Sequence, residues 1–397
     1  MKKNWWLKCS LICCMAVPIQ AMADGDSESS APVIHAGGMA IYPGFSVLET
    51  QNDNLFRSDL NRKASLITEI SPAVLVQAKK GADKYSFNYN ADLGRYGQST
   101  PDNFNDQNFS AEADWAISSR ASFSLSPQYK IGHDARGSAY YGFTPVPSVW
   151  HNTVVDGKFS YGRDEAKGKV VLEASSTNIR YQNNRLTTSG FDKDLDNLIG
   201  TFYYHATPKI STFVQLSDLR IKYIDDLFGL AGREERVMVG AVWKATAKTS
   251  GSFQVGQLRK LFNNTQFQTF NGTSWQGNIR WAPREYARVD WQSSRVPYEA
   301  TGIGSFVLTT DNELNLGYDM SARTTLHVIA GRLNENFEQV GRTDVTPTYG
   351  FEADYKLRQW LIVNAGYSNY IKTSTGYVGP SPEYHANMIT LGIHTEL

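Results

Sequence analysis

The chain has 397 residues, of which 39 are lysine or arginine and 39 are aspartate or glutamate, so its formal net charge is zero. A chain without a positive excess does not have the charge of a nucleic-acid-binding protein, and we expect no nucleic-acid partner. All three cysteines lie within the first 14 residues. The remainder therefore has no thiol for a disulfide or for a cysteine metal site.

Residues 1–23 have the pattern of a secretory signal peptide. Three lysines fall among the first eight residues, a short apolar run spans 9–17, and Ala21 and Ala23 are small residues at a cleavage site. We predict cleavage after Ala23. The run is well short of the roughly 20 residues of a membrane-spanning helix. A lipoprotein signal at 11–14 is disfavoured, because Cys13 stands where a small residue should precede the acylated cysteine.

From residue 41 onward, short segments alternate apolar and polar residues. In 85–93 every odd position is apolar or aromatic and every even position is polar, and 109–115 repeats the pattern. The last segment, 386–397, places Ile389, Leu391, Ile393 and Leu397 on one parity, which predicts a strand that runs to the final residue. Strands that present an apolar side chain at every second position are typical of barrels in the outer membrane.

The connections between these segments alternate between short and longer ones, as in barrels with short periplasmic turns and long extracellular loops. We predict an all-β fold, a transmembrane antiparallel β-barrel of roughly 18 strands (16–18) over 41–397, in the outer membrane of a Gram-negative bacterium. Residues 24–40 are expected to form a flexible periplasmic tail. Short turns are predicted at 282–284 and 356–358 among others, and one long loop at 334–344. A soluble secreted β-protein is the alternative, although a sandwich needs fewer strands.

The tryptophans give a separate indication of orientation. Trp115, Trp243 and Trp281 fall at the ends of strands that enter short turns, and Trp360 follows such a turn. Indole side chains prefer the membrane interface. The pattern therefore predicts an aromatic girdle on the periplasmic side.

The sequence offers little for catalysis. It contains no nucleophile-elbow pattern, no histidine pair with zinc spacing on a helix and no phosphate-binding loop. We therefore predict no enzyme activity, catalytic residue, metal or cofactor. The best catalytic candidate is the pair His133 and Asp134, but adjacent residues of a strand point to opposite faces, which favours a local structural role.

The alternation also assigns a lumen. Ten charged residues occupy its polar parity: Lys84, Asp92, Glu112, Asp114, Lys130, Arg280, Arg288, Asp290, Glu352 and Asp354. They could select ions or charged polymers, or they could pair with opposite charges on neighbouring strands. Four aromatic residues in one loop could stack on sugars or pack the loop onto the barrel mouth, namely Tyr140, Tyr141, Phe143 and Trp150.

Residues 48–58, with the sequence LETQNDNLFRS, resemble the opening motif of the second putative β-barrel porin family. The segments 71–76, 80–89 and 133–137 follow in the same order as in that family. Asn52 departs from the family pattern, in which an aspartate is more frequent. This departure disfavours a cation site at 52–54.

The resemblance implies an outer-membrane channel that takes part in the export of exopolysaccharide or capsular polysaccharide. It also implies two partners, the polymer itself and a periplasmic or outer-membrane polysaccharide export protein. The barrel pattern adds the barrel assembly machinery and the outer-membrane lipids. A general or solute-specific diffusion porin is the alternative function, and an outer-membrane enzyme or adhesin is a more distant one.

Overall fold

The computed structural model describes residues 33–138, 144–163, 166–246, 248–299, 304–379 and 381–395. Nineteen strands account for most of these residues. In chain order they are β1 Ile34–Ala36, β2 Met39–Asn52, β3 Ser65–Lys80, β4 Asp83–Tyr96, β5 Phe104–Trp115, β6 Ala121–Asp134, β7 Ser148–Tyr161, β8 Gly168–Tyr181, β9 Lys193–Thr207, β10 Ile210–Tyr223, β11 Gly232–Thr246, β12 Thr249–Phe262, β13 Phe270–Arg284, β14 Ala287–Glu299, β15 Phe306–Asp319, β16 Thr324–Phe337, β17 Arg342–Arg358, β18 Leu361–Thr375 and β19 Tyr384–Thr395.

One short helix, α1, spans Arg185–Thr188, and single 3-10 turns span Thr100–Asp102 and Ser189–Phe191. No helix in the described ranges has the length and apolar character needed to cross a membrane.

Every strand from β2 to β19 pairs antiparallel with its neighbour in sequence, and β19 pairs with β2. The closing ladder runs over seven paired residues, from Met388 opposite Asn52 to His394 opposite Ser46. The fold is thus a closed barrel of 18 antiparallel strands, as predicted. Closure leaves no full-length unpaired edge, which is the condition for a sheet in a membrane.

The N-terminal boundary differs from the prediction. The barrel begins at Met39 rather than at residue 41, and the segment expected to be a flexible tail includes β1. Strand β1 pairs with the start of β2, placing Ile34 opposite Ile41. The physical reason is that β19 is paired with β2 only as far as Ser46, so this edge of β2 is open to a hairpin partner. The final residues 396–397 lie outside the described ranges.

The two faces of the wall are chemically distinct. Leu391 and Ile389 on β19 are each 60% exposed and share the parity of exposed apolar residues on the other strands. The opposite parity carries mainly polar residues, for example Asn88 on β4 and Ser110 on β5, which are paired across the ladder. The apolar parity is the outer face, and the polar parity lines the lumen.

The connections alternate in length around the barrel. At one end they comprise two to six residues, and at the other they comprise four to thirteen. Two predicted short turns are displaced, because the strands continue through irregular registers at Trp281/Arg284 and Lys356/Arg358, and the turns follow at 285–286 and 359–360. Pro283 is tolerated within β13 because the ladder is interrupted there.

The predicted long loop at 334–344 is mostly strand, since only 338–341 separates β16 from β17. In this region both faces of the sheet carry polar residues, so the alternation fades although the ladder continues. Trp115 lies on the outer face at the short-turn end, where its ring stacks on Phe123 at 5.8 Å and meets the edge of Tyr85 at 6.4 Å. Trp360 lies within a turn rather than at the start of a strand.

Candidate functional site: the lumen and its mouth

The structure places the ten charged residues predicted for the lumen on the inner parity of their strands. The ladders give their positions directly, with Lys84 opposite Asp114 and Arg280 opposite Asp290. Several are engaged with neighbours, since Arg280 contacts Asp290 at 2.5 Å and Arg288 contacts Asp319 at 3.1 Å. These contacts match the pairing alternative rather than a free ring of charge.

An uncharged polar row crosses the inner wall on β4, β5 and β6. The amide of Asn108 donates to Asn90 at 3.2 Å, and the amide of Gln128 donates to Asn108 at 2.7 Å. Asn88 extends the row through a 3.5 Å contact with Asn90. Each primary amide can both donate and accept, so this row offers both functions along the lumen without net charge.

A second row of the same kind lies on β12 and β13. Gln254 donates to Gln276 at 2.8 Å, and the hydroxyl of Ser252 donates to Asn278 at 3.1 Å. The two rows lie in different parts of the strand order. Amide chemistry is therefore a repeated feature of the wall.

Above the first row, aromatic side chains cover the inner face near the long-loop end. The Phe104 ring lies across Gly94, where a Cβ atom would come within 2.0 Å of it, so a larger residue at 94 would displace this ring. His133 stacks on Phe104 at 4.3 Å, and Tyr96 meets Phe104 edge-on at 6.2 Å.

Trp150 continues this aromatic surface on β7. Its ring lies across Gly132, and its indole nitrogen donates to Asp134 at 2.9 Å. The hydroxyl of Tyr181 donates to the other carboxylate oxygen of Asp134, also at 2.9 Å. Lys130 lies over the Trp150 ring, 5.4 Å from its centre. Of the four predicted stacking residues only Trp150 can be placed, because Tyr140, Tyr141 and Phe143 lie outside the described ranges.

The same contacts separate His133 from Asp134. The ring nitrogen Nδ1 of His133 contacts Asp106 at 2.9 Å, whereas Asp134 holds Trp150 and Tyr181. The two side chains therefore position different aromatic groups and do not form a catalytic pair with each other. In the described residues no cluster of histidine and carboxylate side chains has the arrangement of a metal site.

The wall bends inward at β14 and β15. The ladder between β13 and β14 stops at Trp275 opposite Arg295, although both strands continue beyond this point. Pro297 lies just past the break. A proline has no N–H to donate, so the ladder with β13 ends where this position would have to donate to it. We name residues 296–299 and 306–310 the inward hairpin.

Side-chain parity shows where the inward hairpin goes. Lower on β15 the exposed residues Leu316 and Tyr318 mark the outer face, and Phe306 shares their parity. Phe306 is nevertheless almost completely buried, and it packs with Leu258 and Phe270, which lie on the inner faces of β12 and β13. The outer face of the hairpin thus rests on the inner face of its neighbours, and the hairpin narrows the mouth.

A buried ion pair holds the hairpin in this position. Lys260 on β12 is fully buried, and its Nζ lies 2.5 Å from a carboxylate oxygen of Glu299 at the end of β14. Tyr223 donates its hydroxyl to the other oxygen of Glu299 at 3.2 Å. Glu234 contributes a second carboxylate 3.9 Å from Lys260. Removing one partner from such a group leaves an uncompensated charge in a dry environment.

A second charged cluster lies on β17 and β18. Asp344 is fully buried and accepts from Arg342, Lys372 and the hydroxyl of Ser374. Lys372 also contacts Glu335 at 3.2 Å. In this cluster the charged side chains of the upper lumen therefore neutralise one another.

The connections at this end are tied together by residues that we name the loop latch: Phe56, Lys63, Ser99, Asp102 and Arg136. The guanidinium of Arg136 donates to both carboxylate oxygens of Asp102 and to Ser99. It also lies over the Phe56 ring, 4.6 Å from the centre. The hydrogen bonds to Asp102 raise the pKa of Arg136 above its usual value. Three connections from separate hairpins are thereby fixed to one another.

Residues 52–54 close the seam between β2 and β19. Asp53 accepts from the backbone N–H and the side-chain amide of Asn387, at 2.7 and 2.8 Å. Asn54 is fully buried and donates to the carbonyl of His385 at 2.9 Å. We name residues 52–54 with 385–387 the seam clamp. These polar groups of the clamp are hydrogen-bonded within the protein.

Comparison with known proteins identifies the family. Residues 31–397 match the model of the family described as putative beta-barrel porin 2. The chain belongs to this family. A comparison with curated proteins found no match.

Two solved structures illustrate the fold-level similarity of this beta-barrel porin 2 member. OccK3 (OpdO) of Pseudomonas aeruginosa is 12% identical and superposes with a TM-score of 0.50, covering 90% of this chain and 96% of its own. A mutant of the ferric enterobactin receptor PfeA from the same organism is 8% identical, with a TM-score of 0.49 and coverages of 90% and 80%. The likeness to OccK3 supports the barrel fold alone.

The family and the fold make the protein a porin-like barrel of the Gram-negative outer membrane. The short turns accordingly face the periplasm, and the longer connections face the outside. The sequence motifs did not reveal the inward hairpin, although Pro297 is a signal for it. They also did not reveal that two motif segments meet in the loop latch.

Proposed function

We propose that this barrel exports an uncharged or weakly charged polysaccharide across the outer membrane. The observation that carries the proposal is the row of amides on β4, β5 and β6 beneath the rings of Phe104 and Trp150, which have the inner parity. A sugar polymer presents hydroxyl groups at its edges and C–H groups at its ring faces. Amides and aromatic rings match these two kinds of surface.

The arrangement suits passage rather than tight retention. A hydroxyl group that leaves one amide of the row finds another donor and acceptor on the neighbouring strand. Several lumen charges contact one another, as in the pair Arg280 and Asp290, and such pairs impose little field on a neutral chain. A barrel of 16 to 18 strands leaves room for an aqueous channel.

The driving force in this proposal comes from polymer synthesis on the inner side, so the barrel needs no catalytic residue. We further propose that a polysaccharide export protein delivers the chain to the periplasmic end. Removal of residues 1–23 and insertion by the barrel assembly machinery precede this role.

A diffusion porin for small solutes is the second candidate, and the inward hairpin is the observation that favours it. Phe306 and Glu299 bring two strands into the mouth. A narrowed mouth suits a small solute, whereas a polymer must pass beside the hairpin or displace it.

The test uses a deletion strain complemented with variants of the full chain. Under the export proposal, deletion abolishes surface polysaccharide and leaves small-solute permeability unchanged. Replacing Asn88, Asn108 and Gln128 together by leucine lowers export to a small fraction of wild type, because the hydroxyl partners are lost. The matched control is Gln107→Leu, an amide on the outer parity of β5, which leaves export unchanged.

Each variant is first checked for heat-modifiable migration on a gel, so that failure to fold is recognised. Normal surface polysaccharide in the deletion strain, together with slower uptake of one solute, reverses the ranking in favour of a diffusion porin.

A further inference from the structure

The periplasmic end carries a ring of basic residues. Each of the eight short turns contains, or is bordered by, an exposed lysine or arginine. We name these residues the basic collar: Lys80, Arg120, Arg163, Lys209, Lys248, Arg284, Arg323 and Arg358. Because the turns are distributed around the whole barrel, the collar surrounds the lumen entrance.

Four of the eight collar residues are not neutralised by the side chains of the described residues. Among the described residues, Arg120, Arg323 and Arg358 take part in no ion pair, and Arg163 makes only a 3.5 Å contact with the hydroxyl of Ser119. Asp319, which borders one of the turns, contacts Arg288 at 3.1 Å. Arg120, Arg163, Arg323 and Arg358 are thus available to a ligand outside the protein.

The two ends of the barrel differ in charge. The short turns and their bordering residues contain nine basic and five acidic residues, whereas the longer connections with theirs contain seven basic and ten acidic residues. The excess of positive charge is therefore specific to the periplasmic end.

The depth of the collar is set by the aromatic girdle. Trp115, Trp243 and Trp281 lie on the outer parity near the ends of their strands, and Arg120, Lys248 and Arg284 follow them by three to five residues. Tryptophan marks the interface. Lysine and arginine just beyond it extend their charged ends to the headgroup layer.

We infer that the basic collar binds the phosphate groups of anionic phospholipids in the periplasmic leaflet of the outer membrane. The ring meets lipid at every turn, whereas a docked protein would contact one side or a central patch. The exported polymer is a poor candidate for the ligand of the collar. A polymer acidic enough to bind these bases would be repelled by carboxylates such as Glu112 and Asp156 on the inner face of the lumen. This inference does not depend on the polymer proposal.

The consequence is a fixed vertical position. Anionic headgroups attract each nearby base, and the attraction decreases within a Debye length. Such contacts at several points of the perimeter oppose both tilting and sliding of the barrel.

The experiment uses the full mature chain in nanodiscs that contain equal amounts of phosphatidylglycerol and phosphatidylcholine. Lipids that remain bound after release are counted by native mass spectrometry. We expect wild type to retain phosphatidylglycerol in preference to phosphatidylcholine. A fourfold variant of the collar retains about half as much or less, given the roughly additive contribution of each base. The substitutions are Arg120→Gln, Lys209→Gln, Arg323→Gln and Arg358→Gln.

The control variant removes four exposed bases from the outer face near the extracellular end. They are Arg220, Lys222, Arg259 and Arg332, three of which lie among carboxylates such as Asp218 and Glu235. It should retain the wild-type amount of phosphatidylglycerol. Salt should weaken retention by wild type more than retention by the collar variant, because screening acts on the same contacts.

Equal retention of the two lipids by wild type overturns the inference, and so does an equal loss in the control variant. If the collar variant keeps its phosphatidylglycerol but loses polysaccharide export in cells, the collar is instead the binding site of an acidic periplasmic protein. Loss of lipid retention with normal export supports the lipid assignment alone, which separates this result from the proposed function.

Discussion

The guanidinium of Arg136 lies 4.6 Å from the centre of the Phe56 ring, and this contact joins two sequence motifs that are far apart in the chain. Phe56 belongs to the segment 48–58, and Arg136 belongs to 133–137. Gly137 fits beside the Phe56 carbonyl only because it lacks a Cβ atom, which would lie 2.0 Å from that oxygen, and its φ of +76° also favours glycine. The motifs that resemble the family thus meet in one structural feature at the mouth.

The first prediction concerns this loop latch. Arg136→Ala removes two carboxylate contacts and the cation over Phe56, and it leaves the buried Asp102 without its cation. Charge-assisted hydrogen bonds contribute roughly 1.5–3 kcal/mol, so the loops should open locally while the barrel persists. Limited proteolysis should cleave the connections at least tenfold faster with unchanged heat-modifiable migration. Arg163→Ala, at an exposed turn, is the control and should leave the cleavage rate as in wild type.

The second prediction concerns the inward hairpin. Lys260→Met leaves Glu299 without its cation, at a cost of about 3–5 kcal/mol, whereas Glu234 keeps its ion pair with Arg236. The hairpin should then leave the inner face of β12, and single-channel conductance should rise. Glu285→Gln, on a periplasmic turn, serves as the control. An unchanged conductance in a folded Lys260→Met barrel would show that the hairpin does not limit the channel.

The third prediction tests the assignment of the two faces on β7. Val155 is exposed on the outer parity, and its neighbour Val154 lies on the inner parity opposite Gln128. An arginine on the lipid side costs about 2–4 kcal/mol near the midplane, so Val155→Arg should lower the yield of folded barrel. Val154→Arg places the same charge in the aqueous lumen and should fold normally. The reverse outcome would mean that the register of this strand is shifted by one residue.

The fourth prediction concerns the seam clamp and pH. Burial alone would raise the pKa of Asp53, but the hydrogen bonds from Asn387 and the charge of Arg62 outweigh it and hold this pKa below its ordinary value of 3.8. A carboxylate with a lowered pKa stabilises the folded state above its unfolded value, and this contribution is lost as the pH falls through the folded value. Wild type should therefore unfold at a higher temperature than Asp53→Asn at pH 7.

This difference should shrink as the pH falls below about 4, where the carboxylate becomes protonated. Thermal unfolding of both proteins at a series of pH values, followed by the loss of heat-modifiable migration, measures it. A constant difference across the series would contradict the role assigned to the Asp53 carboxylate.

The sequence by itself determined the class of fold. Successive residues of a spanning strand face lipid and water in turn, so their polarity must alternate. A segment such as 85–93 therefore shows by itself that it is a strand and which of its residues face lipid. The strand count, the contrast between the two ends and the parity of the ten charged residues follow from the same local rule. The family resemblance at 48–58 is also readable from sequence alone.

Tertiary structure alone decided the features that depend on pairs of distant residues. Alternation does not reveal that Phe306 leaves the outer face to pack on Leu258, because its parity is the same in either place. It does not reveal that Lys260 finds Glu299, or that Arg136 finds Phe56. Such contacts arise where the strands extend beyond the membrane and the two-residue period no longer constrains the side chains, so only the closed barrel sets which residues meet.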